Sequence, residues 1–249
     1  MAGNTTAPGA TVTSRVLAIL GAFDDEHRSL TLTEVAARAD LARPTAHRLI
    51  GELSAWGALR RDASGAYTIG RRLWDLGLLA PVQTDLRQAA APFLHDLYGA
   101  TRATVHLAVR DGTQVLYLHT VRGNASVPIV STVGSRLPLH STGVGKVVLA
   151  HAPADVRREV LTGPLQRFTP YTITQPARLE QQLARVLHDG YATTAEEMTL
   201  GACSVAVPVT VDGEVVAVVG AVVADLRRTR QRLVAALQVA ARGIERSLR

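Results

Sequence analysis

The chain has 249 residues, 47% of them apolar, enough for one large domain or two modest ones with real cores. No run of 18 apolar residues occurs, and "MAGNTTAPGATVTS" lacks a basic stretch followed by an apolar one, so neither a membrane span nor a secretory signal is expected and the chain is placed in the cytoplasm. A net charge of +6 permits a polyanionic partner, while one cysteine, Cys203, excludes an intrachain disulfide and a Cys-based zinc site within one chain.

Residues 1–12 are small and polar and read as a disordered lead-in. In "TSRVLAILGAF", Val16, Leu17, Ile19, Leu20 and Phe23 share one helical face, and the helix ends near "DDEH". "SLTL" suits a brief strand. "TEVAARADL" begins a second helix with Thr33 as its N-cap, and a tight turn at residues 40–42 leads into "LARPTAHRLIGEL". There Ala46, Leu49, Ile50 and Leu53 form one buried stripe, Pro44 sits in the first turn, and Gly57 closes the helix. "LRRDASGAYTIG" then reads as two short strands around a turn at residues 63–66. Helix, strand, helix, turn, helix and hairpin is the winged helix-turn-helix order, with the third helix sized for the major groove. Residues 71–100 look helical, broken or kinked at Pro81, with Pro92 inside the second run leaving that run's length open.

From residue 103 the period changes to two. "ATVHLAVRDG" and "TQVLYLHTV" are strands joined at Asp111-Gly112, and "SVPIVSTVGSRLPLH" is more extended chain. "GVGKVVLAHA", "PADVRREVL" and "PARLEQQLARVLHDG" are helical, the last closed by Gly190. "YATTAEE", "CSVAVPVTV" and "EVVAVVGAVV" are strands, and "TRQRLVAALQVAARGIERSL" is a final helix. An antiparallel sheet with helices around it makes the chain α+β.

Nearly all the positive charge is arginine, which reflects composition more than function; its distribution says more. Residues 43–72 hold Arg43, Arg48, Arg60, Arg61, Arg71 and Arg72 against Glu52 and Asp62, whereas residues 1–42 are acidic overall. The basic block from Arg227 to Arg249 reads as a solvated helix face. In "HSTGVGK", Ser141, Thr142 and Gly143 precede a helix, so hydroxyls and free N–H groups converge on a site suited to a carboxylate. It is not a Walker A loop: His140 stands where glycine is needed, and Val147 follows Lys146 where Ser or Thr is needed. Lys146 is either structural or a nucleotide contact.

No enzyme chemistry assembles from these residues. Cys203 reads as a buried small hydrophobe, and Ser141 beside His140 lacks a third member. His106 and His119 face each other across the first hairpin as a metal pair or, more commonly, as packed histidines. Glu196 and Glu197, adjacent on a strand, point to opposite faces and form no acid/base pair. No cofactor and no metal site is expected.

Three blocks in order, "LARPTAHRL", "LPLHSTGVGKVVLA" (137–150) and "EEMTLGACSVAVPV" (196–209), resemble the IclR family of bacterial transcription regulators, from about Thr13 to the C-terminus. The resemblance implies a winged helix-turn-helix domain over 13–70, a helical connector over 71–85 and a GAF-like effector domain over 86–249. It implies a dimer or dimer of dimers on a partly palindromic operator, with a small molecule adjusting DNA affinity. Repressors and activators share these motifs; repression is taken as the expectation.

On this reading Thr45, His47 and Arg48 carry base or phosphate contacts, with Arg48 alternatively bracing the motif on an acidic residue. Arg43, Ser14 and Arg15 lie near the backbone, and Arg60 and Arg61 belong to the wing. The resemblance lines the effector site with Ser141, Thr142, Gly143, Val144, Thr194, Ser204, Gly220 and Val222. The apolar "VVGAVV" on the last strand points to an apolar ligand such as an aromatic acid. The competing class is a GAF-type small-molecule-binding or hydrolytic protein whose helix-turn-helix serves protein contacts. A third is an architectural DNA binder with no effector.

Overall fold

The computed structural model describes residues 11–24, 26–79, 84–123, 127 and 129–249. The chain divides into two compact units, residues 1–82 and 83–249. The break expected at Pro81 lies outside the described residues, as do residues 1–10 of the expected lead-in.

In the first unit, α1 (Val12–Gly21) begins inside the stretch expected to be disordered, because the Thr11 hydroxyl caps it by accepting the Ser14 N–H at 3.1 Å. After β1 (Ser29–Leu30), helix α2 (Leu32–Arg38) is capped by Thr31 rather than Thr33. Thr31 and Glu34 have the three-residue spacing of a capping box and satisfy each other's backbone N–H. Asp40, at φ 50°, turns the chain into α3 (Arg43–Trp56), and Gly57, at φ 86°, ends it. A short sheet in the order β1-β3-β2 follows, from β2 (Leu59–Arg61) and β3 (Tyr67–Ile69), and then α4 (Arg71–Leu78). The core joins Ile19, Val35, Ala46, Leu49, Ile50 and Leu59.

The second unit opens with α5 (Thr84–Thr101). It runs through Pro92, which is exposed, so the carbonyl left without its N–H partner faces solvent. Six antiparallel strands follow: β4 (Thr104–Asp111), β5 (Gln114–Val121), β6 (Arg136–Pro138), β7 (Ala192–Ala195), β8 (Cys203–Val211) and β9 (Glu214–Val223). They lie in the order β6-β5-β4-β9-β8-β7. Three helices separate β6 from β7: α6 (Gly143–Ala150), α7 (Ala154–Thr162) and α8 (Pro176–Asp189); α9 (Arg230–Ser247) closes the chain.

Strand alternation sorts the sheet into two faces. Val105, Leu107, Val109, Val205, Val207 and Val219 pack with α5 and α9, whereas Ala108, Tyr117, Ala206 and Val218 pack with α6 and α8. The second face also carries a polar row. His106 lies opposite Gly220 and Thr194 opposite Ser204, which in turn faces Val222. Gly220 and Gly143 let the start of α6 descend onto this row: a Cβ on Gly220 would sit 2.6 Å from Val144 Cγ1, and one on Gly143 2.5 Å from Ser204 Oγ. The antiparallel α+β arrangement agrees with the sequence reading.

Candidate functional site

The first unit presents a cationic helix face. Ala46, Leu49 and Ile50 are buried, so Arg43, His47 and Arg48 are turned to solvent, and Thr45 is half-buried at the edge. No side chain caps α3 at Ala42, and its first N–H groups face outward beside Arg43. The Arg48 guanidinium donates to Glu52 Oε1 at 2.5 Å, one turn along the same exposed face. The acidic partner foreseen for Arg48 therefore exists, but it belongs to α3 itself rather than to a neighbouring helix.

In the hairpin, Arg60 is exposed. Arg61 lies over the Tyr67 ring, and its Nε donates to the Gly65 carbonyl at 3.0 Å. Arg61 thus stiffens the wing while Arg60 remains extended from it. Ser14 is exposed, with its hydroxyl 2.8 Å from that of Thr11; Arg15 is half-buried.

The second unit contains a cavity at the start of α6, with about 500 Å³ of unfilled space including its mouth. It brings together all eight residues named for an effector: Ser141, Thr142, Gly143, Val144, Thr194, Ser204, Gly220 and Val222. Thr142 caps α6, its hydroxyl accepting the Gly145 N–H at 3.0 Å, which leaves the N–H groups of Gly143 and Val144 without intrahelical acceptors. The hydroxyls of Thr194 and Ser204 are 2.6 Å apart. Among the described residues lining the cavity, none carries a formal charge other than what His106 could acquire.

His106 is held neutral, because burial pushes its imidazole down to about 4. Its Nδ1 is 3.1 Å from Thr120 Oγ1 and its Nε2 3.2 Å from Ser131 Oγ. Its ring meets that of Tyr117 edge-on at 5.1 Å. Burial also raises the Tyr117 hydroxyl, which hydrogen-bonds Thr142. The walls are completed by Ile129 and Val130 on one side and by Met198, Thr199 and Ala202 on the other.

Lys146 does not line this cavity. It is fully buried, with Nζ donating to Glu197 Oε1 at 2.6 Å and to Gln182 Oε1 at 2.5 Å. Burial pushes the lysine down and the glutamate up, and each partner's charge opposes that push. Glu196 and Glu197 diverge as expected, but they lie beyond the end of β7: Glu196 has a left-handed backbone, at φ 57°. The Thr169 and Thr172 hydroxyls donate to the Glu196 and Glu197 carbonyls at 2.6 and 2.7 Å, pinning the start of the loop that carries Met198 and Thr199.

Comparison with known proteins agrees with this geometry. Residues 12–63 match the IclR helix-turn-helix domain, and residues 80–246 match the bacterial transcriptional regulator IclR C-terminal domain. The chain belongs to the IclR family of bacterial transcription regulators. It is 35% identical over 182 residues to the HTH-type transcriptional regulator BhcR of Paracoccus denitrificans, an alignment spanning 72% of this chain and 65% of that protein. It is 32% identical over 197 residues to XynR of Escherichia coli, covering 78% of each. A crystal structure of an IclR homolog from Microbacterium hydrocarbonoxydans, complexed with 4-hydroxybenzoate, superposes with a TM-score of 0.91 at 34% identity, over 96% of this chain and 99% of that one.

Several finer expectations change within this IclR framework. His106 and His119 do not face each other: His106 pairs with Thr120 and His119 with Leu107, a register shift follows at Leu107, and the His119 ring lies 6.0 Å from that of His95. Cys203 is half-buried rather than fully buried, since it begins β8 at the sheet margin. His140 and Ser141 are turned apart, Nε2 of the histidine to the Gln166 carbonyl at 2.9 Å and the serine hydroxyl to Met198 Sδ at 3.4 Å. His106, Tyr117 and the two covering loops were missed as cavity residues. His106 is in phase with Thr104 on β4, opposite Val105 and Leu107, and that alternation was the available signal.

Proposed function

We propose that this IclR-family chain is a ligand-responsive repressor acting on chromosomal DNA in the cytoplasm, with an aromatic monocarboxylate as its effector. The observation that carries the ligand class is the cavity itself: uncharged, walled by Val144, Val222, Ile129 and Leu137, and open to the free N–H groups of α6. A carboxylate is favoured at a helix N-terminus without a cationic side chain, and a single ring suits the apolar walls. A hydroxyl on that ring would find His106 and Tyr117. The 4-hydroxybenzoate of the Microbacterium homolog has this chemistry.

On the DNA side, Thr45, His47 and Arg48 read bases or grip phosphates, Arg43, Ser14 and Arg15 hold the backbone, and Arg60 and Arg61 set the wing against the adjacent backbone or minor groove. Exposed apolar side chains on α1, on α4 and at its C-cap, Leu17, Trp74 and Leu79, support self-association into a dimer or dimer of dimers on a partly palindromic site. The domain limits proposed are 13–70, 71–85 and 86–249.

The test is a gel shift on the chain's own upstream region, with and without 4-hydroxybenzoate, beside a thermal-shift series of aromatic and aliphatic acids. A salt-sensitive specific complex released by an aromatic acid is expected. A complex indifferent to every acid, with no thermal shift, would favour the architectural reading.

A further inference from the structure

The outer edge of β7 carries a second hollow whose chemistry is the reverse of the effector cavity. Strand β7 is last in its sheet, so among the described residues this edge pairs with no strand. Along it, α8 presents Arg178, Gln182 and Arg185 at i, i+4 and i+7, one stripe of one helix face. From the opposite side come Arg227 and Arg230, on the segment that leads β9 into α9. These residues line two adjoining open hollows, with about 1180 and 540 Å³ of unfilled space including their mouths, which share Gln182, Thr193 and Arg230.

Three of the four guanidinium groups hold no hydrogen-bond partner among the described residues, although Arg178 feels the field of the Lys146–Glu197 pair. Arg178, Arg185 and Arg230 are exposed and make no hydrogen bond or ion pair among the described residues, and Arg227 only approaches Asp225, at 4.0 Å. Of the carboxylates in the hollows, Glu197 is committed to Lys146, and Asp189 bonds the His188 ring. The four guanidinium groups outnumber the carboxylates near them that are not committed to Lys146, namely Asp189 and Asp225, and this excess of positive charge concentrates anions. Gln182 adds a directional group: its Oε1 accepts from Lys146, which leaves its amide N–H groups free to donate.

We propose that this groove binds a small multivalent anion carrying two or more phosphate or carboxylate groups. Arginine forks on two sides match the paired oxygens of either group, and Gln182 lies between them. The site differs from the effector cavity in charge and in position, and Thr194 borders both. A ligand in the groove therefore lies one strand away from the effector, and the buried Lys146 joins its floor to the helix that starts the effector cavity.

The experiment is calorimetric titration of the full-length protein with pyrophosphate and with citrate, ionic strength being held constant with sodium chloride. Binding of one or both is expected, the first identifying a phosphorylated source and the second a polycarboxylate. The pair Arg178→Gln with Arg230→Gln is expected to weaken binding at least tenfold. The pair Arg158→Gln with Arg242→Gln, exposed arginines outside both the groove and the DNA-binding face, is expected to leave it unchanged. All these side chains are exposed, and Arg185→Gln with Arg227→Gln provides a second groove variant should the first unfold. No binding by the wild type, equal binding by the groove variants, or equal loss in the Arg158→Gln, Arg242→Gln variant overturns the proposal. A groove variant that changes the sedimentation coefficient of a protein that binds neither anion assigns the arginines to contacts between copies, which also overturns it.

Discussion

The helix face of α3 and the cavity at the start of α6 both hold hydroxyls and histidines, yet they are built on opposite terms. On α3 the polar groups are solvated and cationic, and their one ion pair, Arg48 with Glu52, is more than half exposed on both sides. Around the cavity the polar groups are neutral and buried, and the ion pair beneath it, Lys146 with Glu197, is almost wholly out of water. A surface that meets a polyanion keeps its charges hydrated and available until contact. A cavity proposed to recognise one small acid holds dipoles in place and keeps mobile charge out. The same pairing of a cation with a glutamate therefore means different things at the two sites.

The sharpest way to test that contrast is to break the buried pair. Lys146→Met leaves Glu197 desolvated without its partner and is expected to cost about 3–5 kcal/mol in urea unfolding. Adding Glu197→Leu is expected to recover much of that loss, since an apolar pair often replaces a buried ionic one at little cost. A loss below about 1 kcal/mol for the single variant would mean the pair is as hydrated as the one on α3.

Next in size is the titration of His106. Its folded value, about 4, lies below the ordinary 6.5, so the unfolded chain takes up the proton first as pH falls. Stability is full above about pH 6.5 and drains through pH 4, by roughly 3 kcal/mol from this group alone. His106→Gln is expected to flatten the stability profile between pH 6.5 and 4 relative to wild type, while leaving stability at pH 8 less affected. An unchanged profile would show that His106 is hydrated and that the cavity is wetter than its walls imply.

The same contrast explains what was legible beforehand. The helices and strands of both units follow from apolar period and punctuation: Gly57 and Gly190 in left-handed caps, and Asp-Gly at two hairpins. The residues proposed to read DNA were nameable because exposed polar groups interrupt an apolar stripe on one helix, a local pattern. Ser141 to Gly143 were nameable for the same reason, as the start of a helix. Val144, Thr194, Ser204, Gly220 and Val222 came from family resemblance, the last four because only the β7-β8-β9 register brings them together. His106, Tyr117 and the partner of Lys146 depend on pairings 14 to 51 residues apart, which no local period records. Thr31 rather than Thr33 is the cap because the reciprocal bond from Glu34 reaches it, which the propensity of a threonine for the cap position does not weigh.

Smaller effects separate the parts of the DNA surface. Thr45→Ala and His47→Ala are expected to relax sequence preference at individual operator positions, by about 1–3 kcal/mol each in competition gel shifts. Arg60→Ala is expected to weaken specific and nonspecific DNA alike and to reduce the slope of log K against log salt by about 1. If Arg60 alters preference instead, the wing reads sequence and the division between helix and hairpin fails.

The smallest effect decides what Arg48 does. As an exposed i, i+4 pair, Arg48 and Glu52 contribute about 0.3–0.5 kcal/mol to the helix, so Glu52→Ala is expected to cost stability no more than that. Its effect on DNA should have the opposite sign. Removing the carboxylate frees the guanidinium and deletes a negative charge from a face meant for phosphate, so affinity is expected to rise severalfold at moderate salt. In an Arg48→Ala background the same Glu52→Ala change keeps only the charge-repulsion part, and the gain should shrink. Equal gains in both backgrounds would mean that Arg48 stays paired on the DNA, and that it supports the helix rather than reading the operator.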